Sequence, residues 1–167
     1  MEIRYMLPTD DLYEVSNIYE QSWKYAYRGI VPQSFLDSIP PGSSVSRIRE
    51  SGRQYLVAVE NDTIIGTSSF CGSRWEQYKD YGEIATIYFL PEYMGKGYGR
   101  LLLGRTVEEL RQLGYDHILL WVFEDNHRAR RFYEKCGFIL SNEKQVSEIG
   151  GKELSEVMYY SHTPHQM

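Results

Sequence analysis

Cysteine is scarce in this 167-residue chain: its two copies, Cys71 and Cys136, show neither a C-x-x-C step nor the cysteine–histidine spacing of a zinc site. Two thiols are also too few for the disulfide framework of a small secreted domain. The expectation is a reduced, cytoplasmic protein with no metal. Positive charge is short as well, since 18 Lys and Arg against 23 Asp and Glu leave a formal net charge of −5. That balance argues against an electrostatic grip on nucleic acid or an anionic membrane. No apolar run approaches the ~20 residues that span a bilayer, and the first residues carry no basic-then-apolar leader pattern. Internal repeats and low-complexity stretches are missing too, so a single domain over 1–167 is expected.

What the chain has in quantity is tyrosine, 15 of them, beside Trp23, Trp75 and Trp121. Many of these rings suit walls that are apolar in body and wet at the tip. The most informative stretch is Tyr93-Met94-Gly95-Lys96-Gly97-Tyr98-Gly99-Arg100, set between a strand-like segment (84–90) and a helix-like one (101–113). Alternate glycines let a ligand reach the main chain, and the following helix opens with free N–H groups at the positive end of its dipole. The arrangement reads as a cradle for a diphosphate held on backbone donors. A P-loop is excluded because no Gly-Lys-Ser/Thr follows at the required spacing. The dinucleotide fingerprint is excluded because Gly95, Gly97 and Gly99 alternate instead of making a G-x-G-x-x-G step.

Along the chain, Glu2 to Leu7 reads as a strand. Leu12, Val15, Ile18 and Tyr19 recur at helical steps after the capping residues Thr9, Asp10 and Asp11. Short helical turns follow near 35–39 and 46–50, then two strands (54–60 and 63–71) joined through Asn61-Asp62. The helix after the glycines carries a core stripe of Leu103, Val107, Leu110 and Leu113. The continuously apolar 117–123 suits a strand buried on both faces. Asn126 can cap a further helix ending at Cys136-Gly137, and 138–146 with 152–160 suit a hairpin through Gly150-Gly151. Residues 161–167 read as a frayed tail. The pattern is α/β, with a mixed sheet flanked by helices.

A second segment, Asn126, Ala129, Phe132, Tyr133, Glu134, Lys135, Gly137 and Phe138, follows the apolar strand as N-x-x-A-x-x-F-Y-E-K-x-G-F. Together with the glycine run it resembles the GNAT family of acetyl-CoA-dependent N-acetyltransferases, most firmly over 54–160. The family's Q/R-x-x-G-x-G/A cradle maps onto Met94 to Gly99, with Met94 where a Gln or Arg is usual. The resemblance implies the GNAT fold, with a mostly antiparallel central sheet, and acetyl-CoA as cosubstrate. It also implies direct transfer to an amine within a ternary complex.

Transfer needs a neutral amine, a stabilised oxyanion and a protonated leaving thiolate. By resemblance Tyr133 is the acid for the thiolate. Glu83, at the start of the central strand, is the base, with Glu124 and Asp125 as rivals. The family implies cofactor contacts from the main chain of Ile87, Tyr88 and Phe89, from Gly95, Lys96, Gly97, Tyr98, Gly99 and Arg100, and from Asn126, which is equally a helix cap. Arg128 and Arg131 are further cations for the adenosine phosphate. Trp23 and Tyr27, with Tyr25 and Arg28, fall in the segment lining the acceptor side, and Trp75 and Tyr78 form a second candidate wall. The acceptor expected is a small-molecule amine, with overall acidity favouring a cationic one. A protein or peptide amine, or a silent acyl-CoA-binding module, is the alternative, and the oligomeric state is open, a homodimer included.

Overall fold

The computed structural model describes residues 1–162. β1 (Glu2–Tyr5) leads into α1 (Leu12–Ala26), where Asp11 accepts a hydrogen bond from the Tyr13 N–H at 2.9 Å and so satisfies one orphan donor. Two short helices follow, α2 (Gln33–Ser38) and α3 (Val45–Glu50). β2 (Gln54–Glu60) and β3 (Thr63–Gly72) form a hairpin whose turn residues Asn61 and Asp62 both adopt positive φ, 50° and 61°. Asn and Asp tolerate that conformation better than other side chains, which is how the hairpin closes without glycine. Then come β4 (Gly82–Phe89), α4 (Tyr98–Gln112), β5 (His117–Phe123) and α5 (His127–Lys135), and finally β6 (Ile139–Ile149) and β7 (Lys152–His162). The last two strands turn at Gly150 and Gly151, both at positive φ.

The strands lie in the order β1-β2-β3-β4-β5-β7-β6, and every neighbouring pair is antiparallel except β4 with β5. Alternation along β2 sends Tyr55 and Val57 to one face and Leu56 and Ala58 to the other. The first pair packs with Val15, Ile18 and Ile48 of α1 and α3. The second joins Leu102, Leu103 and Leu110 of α4. A third cluster, Val31, Leu36, Phe123 and Leu154, ties the α1–α2 region to the far half of the sheet.

Three expectations change. The helix after the glycines starts at Tyr98, not Leu101, because Gly97 in the left-handed conformation (φ 83°) serves as its N-cap. Leu113 is 53% exposed and lies outside the core stripe, which instead uses Leu102, Leu103, Thr106 and Leu110. Ser161 and His162 are no tail: they pair with Ile118 and His117 and extend β7. Residues 163–167 of the expected tail lie outside the described residues.

Candidate active site

β4 and β5 pair only from Gly82–Ile84 to Ile118–Leu120, and beyond that the two strands part. On its other edge β4 stays bonded to β3, with a register shift in which Phe70 faces Ile84 and Ser69 faces Thr86, leaving Ala85 as the extra residue. Such a bulge bends the strand and leaves one residue out of the ladder. The Thr86 hydroxyl shares hydrogen bonds with the hydroxyls of Ser69 (2.6 Å) and Tyr19 (3.0 Å), which hold the bend against α1. In the split lies a cleft of about 1230 Å³ lined by Ala85 through Phe89 on one side and by Trp121, Val122 and Phe123 on the other. The β4 main-chain groups facing β5 past Ile84 therefore have no ladder partner and are open to a ligand lying along the strand.

At one mouth of the cleft lies the glycine segment. Gly95 (φ 77°) and Gly97 (φ 83°) occupy the left-handed region, and a β-carbon on either would point into open space. No side chain caps α4, so the N–H groups of Gly97, Tyr98, Gly99 and Arg100 remain free at the positive end of a 15-residue helix. A β-carbon at Gly99 would lie in ordinary van der Waals contact with the Phe132 ring of α5, at 3.4 Å. Arg100, Arg128 and Lys135 line this mouth. Two side chains of the run turn elsewhere: Lys96 lies over the Tyr93 ring, 5.1 Å from its centroid, and the Tyr98 hydroxyl donates to Glu60 at 2.7 Å. Arg131 is exposed and off the cleft lining.

Asn126 caps α5, its Oδ1 accepting from the Ala129 N–H at 3.2 Å, and also lines the cleft. Tyr133 lines it from the same helix, packed against Phe132, Phe138 and Tyr159. Burial, with the Tyr88 hydroxyl nearby, pushes its phenol well above the usual tyrosine range, so it is a proton donor at any working pH. Among the described residues its hydroxyl has no protein hydrogen-bond partner and is free for a ligand.

The carboxylates fall differently from expectation. Glu83 does start β4, but it is 1% exposed and locked to Arg74: the Arg74 main-chain N–H (3.0 Å) and Nε (3.2 Å) reach one oxygen, and a guanidinium Nη2 reaches the other at 2.7 Å. It is not part of the cleft lining, because its neighbour Arg74 covers it. Glu124 pairs with Lys144 at 3.2 Å, and neither it nor Asp125 reaches the cleft. Among the described residues the only carboxylate lining the cleft is Glu156 on β7.

At the other mouth stand Trp23, Tyr25, Tyr27 and Arg28 from the end of α1, with Trp75 and Trp121, whose rings lie 5.0 Å apart. Tyr78 turns away to Glu143 (2.9 Å). Trp23 donates to the Tyr88 hydroxyl at 3.2 Å, and Tyr27 packs edge-on against Phe123 at 4.9 Å. Burial beside Tyr88 raises the Tyr27 phenol far above its ordinary range, so it too stays protonated. Arg74, Trp121, Gln145 and Glu156 were missed from the sequence. A signal for Glu156 existed: Leu154, Glu156 and Met158 alternate along one strand face, and a charge interrupts two buried apolar positions.

A sheet split between parallel strands, with a helix N-terminus lacking a side-chain cap at one mouth and an aromatic chamber at the other, leaves room for an elongated ligand along a strand. The acetyltransferase (GNAT) family model matches residues 12–138. The chain belongs to that family. It is 36% identical over 115 residues to the ribosomal protein bS18-alanine N-acetyltransferase of Haemophilus influenzae, covering 64% of this chain and 73% of that protein. It is 27% identical over 104 residues to the L-amino acid N-acyltransferase MnaT of Escherichia coli, covering 61% of this chain and 58% of that one. The fold matches the PaiA N-acetyltransferase of Thermoplasma acidophilum, solved in complex with coenzyme A, with a TM-score of 0.75, 22% identity and coverage of 98% and 100%.

Proposed function

We propose that the protein moves the acetyl group of acetyl-CoA to the amine of a small molecule by direct attack within a ternary complex. One observation carries this reading: a single cleft runs through the split sheet from the open N-terminus of α4 to the aromatic chamber beside α1. The residues present fit acetyl-CoA. Free N–H groups at the start of α4 receive the diphosphate, β4 beyond Ile84 pairs with the pantetheine arm as an added strand would, and Arg100, Arg128 and Lys135 meet the remaining phosphate charge. The bound thioester supplies the activated acetyl group. An unpaired β4 N–H polarises its carbonyl, and the Tyr133 hydroxyl protonates the departing sulfur.

Direct attack is favoured over an acyl-enzyme. Cys136 is the lone cysteine lining the cleft, and burial raises its thiol pKa, which keeps it protonated and a poor nucleophile. A small acceptor is favoured by how the chamber is closed. The β6–β7 turn docks on the α1–α2 segment, with Gly150 packed against Phe35 and Pro32 and the Lys152 ammonium donating to the Ile30 carbonyl at 3.0 Å. The chamber carries Arg28 and Arg74 beside Glu156, so the local charge does not select a polycation although the chain is acidic overall.

The test is a free-CoA release screen of acetyl-CoA against amino acids, polyamines, aminoglycosides and short peptides. Amino acids or other small amines should be the productive acceptors. Release with peptides alone would replace the small-molecule reading. Tight acetyl-CoA binding without any turnover would leave a non-catalytic acyl-CoA-binding module.

A further inference from the structure

The acceptor chamber holds one carboxylate, and its surroundings are built. Glu156 on β7 lies between Phe123 of β5 and Gln145 of β6 in the strand register, so all three side chains share the sheet face that looks toward α1. The Gln145 side-chain amide donates to one Glu156 oxygen at 2.5 Å, which fixes that oxygen and leaves the other for a ligand. Tyr133 approaches the split from the opposite face, packed in the cluster that contains Phe138 and Tyr159. A group entering from the α1 side therefore meets Glu156, and a thioester lying along β4 meets Tyr133.

Resting on the transferase reading above, we propose that Glu156 receives the acceptor's ammonium and takes its proton, with Gln145 as the positioning residue. The ammonium gives one proton to the Glu156 carboxylate, which later releases it to solvent. The neutral nitrogen then forms a bond to the thioester carbonyl carbon. The C–S bond breaks with its electron pair on sulfur, Tyr133 protonates that sulfur, and the proton lost from the new amide nitrogen returns to Tyr133 through solvent. One proton is released overall, as the conversion of an ammonium and a thioester into an amide and a thiol requires.

Two features of the environment suit a base. Burial raises the Glu156 carboxyl above its ordinary range, against the opposing pull of the Gln145 hydrogen bond and the Arg74 charge. The groups facing it are Gln145 from β6, Arg74 from the β3–β4 loop and the protonated Tyr27 from the end of α1, with Arg28 lining the same cleft. Glu83 neutralises Arg74, so Glu156 is not consumed by an ion pair of its own.

The experiment follows CoA release with acetyl-CoA and three probe amines, L-phenylalanine, phenethylamine and an Ala-Phe dipeptide, across pH in wild type, Glu156→Gln, Glu156→Asp and Gln145→Ala. Acetyl-CoA thermal shift reports folding and cofactor binding in each. Glu156→Gln should lower kcat/KM for the amine by about 10² to 10⁴ and abolish the acid limb of the pH profile, with the acetyl-CoA shift retained. The Asp variant should restore part of the rate and the limb, and Gln145→Ala should move the limb. A Gln variant that keeps both the rate and the acid limb overturns the proposal while the transferase reading stands. Wild type that shows neither acetyl-CoA shift nor turnover with these amines removes both.

Discussion

Replacing Tyr133 by Phe separates fold from chemistry more cleanly than any other single change. The ring packs against Phe132, Phe138 and Tyr159 at centroid distances of 5.3, 6.1 and 6.3 Å, and all of that contact is preserved in the variant. The atom removed, the hydroxyl oxygen, makes no hydrogen bond to another described residue, so no partner is left unsatisfied and stability should change by less than about 0.5 kcal/mol. Turnover should behave differently. Without a donor the thiolate must leave unprotonated or wait for water, and a positioned acid is worth about 10² to 10⁴ in rate, or roughly 2.7 to 5.4 kcal/mol of barrier. The assay is CoA release on a productive acceptor, alongside melting temperature with and without acetyl-CoA. Because burial holds the wild-type phenol above the usual tyrosine range, Tyr133 should contribute no alkaline limb near pH 10 to the wild-type profile. Unchanged turnover in the Phe variant would refute the donor role and give the proton to water.

Further outcomes follow from other contacts. Gly97→Val should abolish the acetyl-CoA thermal shift by filling the cradle, whereas Gly114→Val, equally strained at φ 100° but at the far end of α4, should keep it; loss in both would mean strain, not exclusion, is responsible. Arg74→Ala strands a buried Glu83 carboxylate that loses both guanidinium hydrogen bonds and keeps only the one from the main-chain N–H of residue 74. Because Arg74 is itself about half exposed, denaturant unfolding should read a loss of ~2 kcal/mol rather than the 3–5 of a fully buried pair. Asp10, held below the ordinary carboxylate range by Arg4 at 2.8 and 2.9 Å, supports the fold only while ionised. Asp10→Asn should therefore cost about 1 kcal/mol at neutral pH, and the difference should vanish as pH falls through the lowered folded pKa of Asp10.

Local chemistry was legible in the sequence wherever one residue type answers one backbone need. Asp11 and Asn126 cap their helices, and Gly95 and Gly97 supply the left-handed turns. The order of the glycine run and the N-x-x-A-x-x-F-Y segment carried the family and with it the sheet. Even there the start of α4 shifted by three residues, because the helix begins directly after Gly97 at positive φ, without the capping side chain that helix-start patterns look for.

The direction of a side chain across a sheet is a different matter, since it depends on register and on which strands are neighbours. Resemblance to the family points to Glu83 as the base, yet Arg74 from the β3–β4 loop folds over it, and it does not line the cleft. Glu156 lies 73 residues further along the chain. It reaches the cleft because β7 inserts between β5 and β6, and the register sets it beside Phe123 on the face toward α1. A one-residue slip in that pairing would point it to the opposite face. The sequence by itself determined the glycine turn before α4 and the family, because glycines and caps act within a few residues. Only the tertiary structure decided which carboxylate meets the acceptor, because strand order and register bring together residues that no local pattern connects.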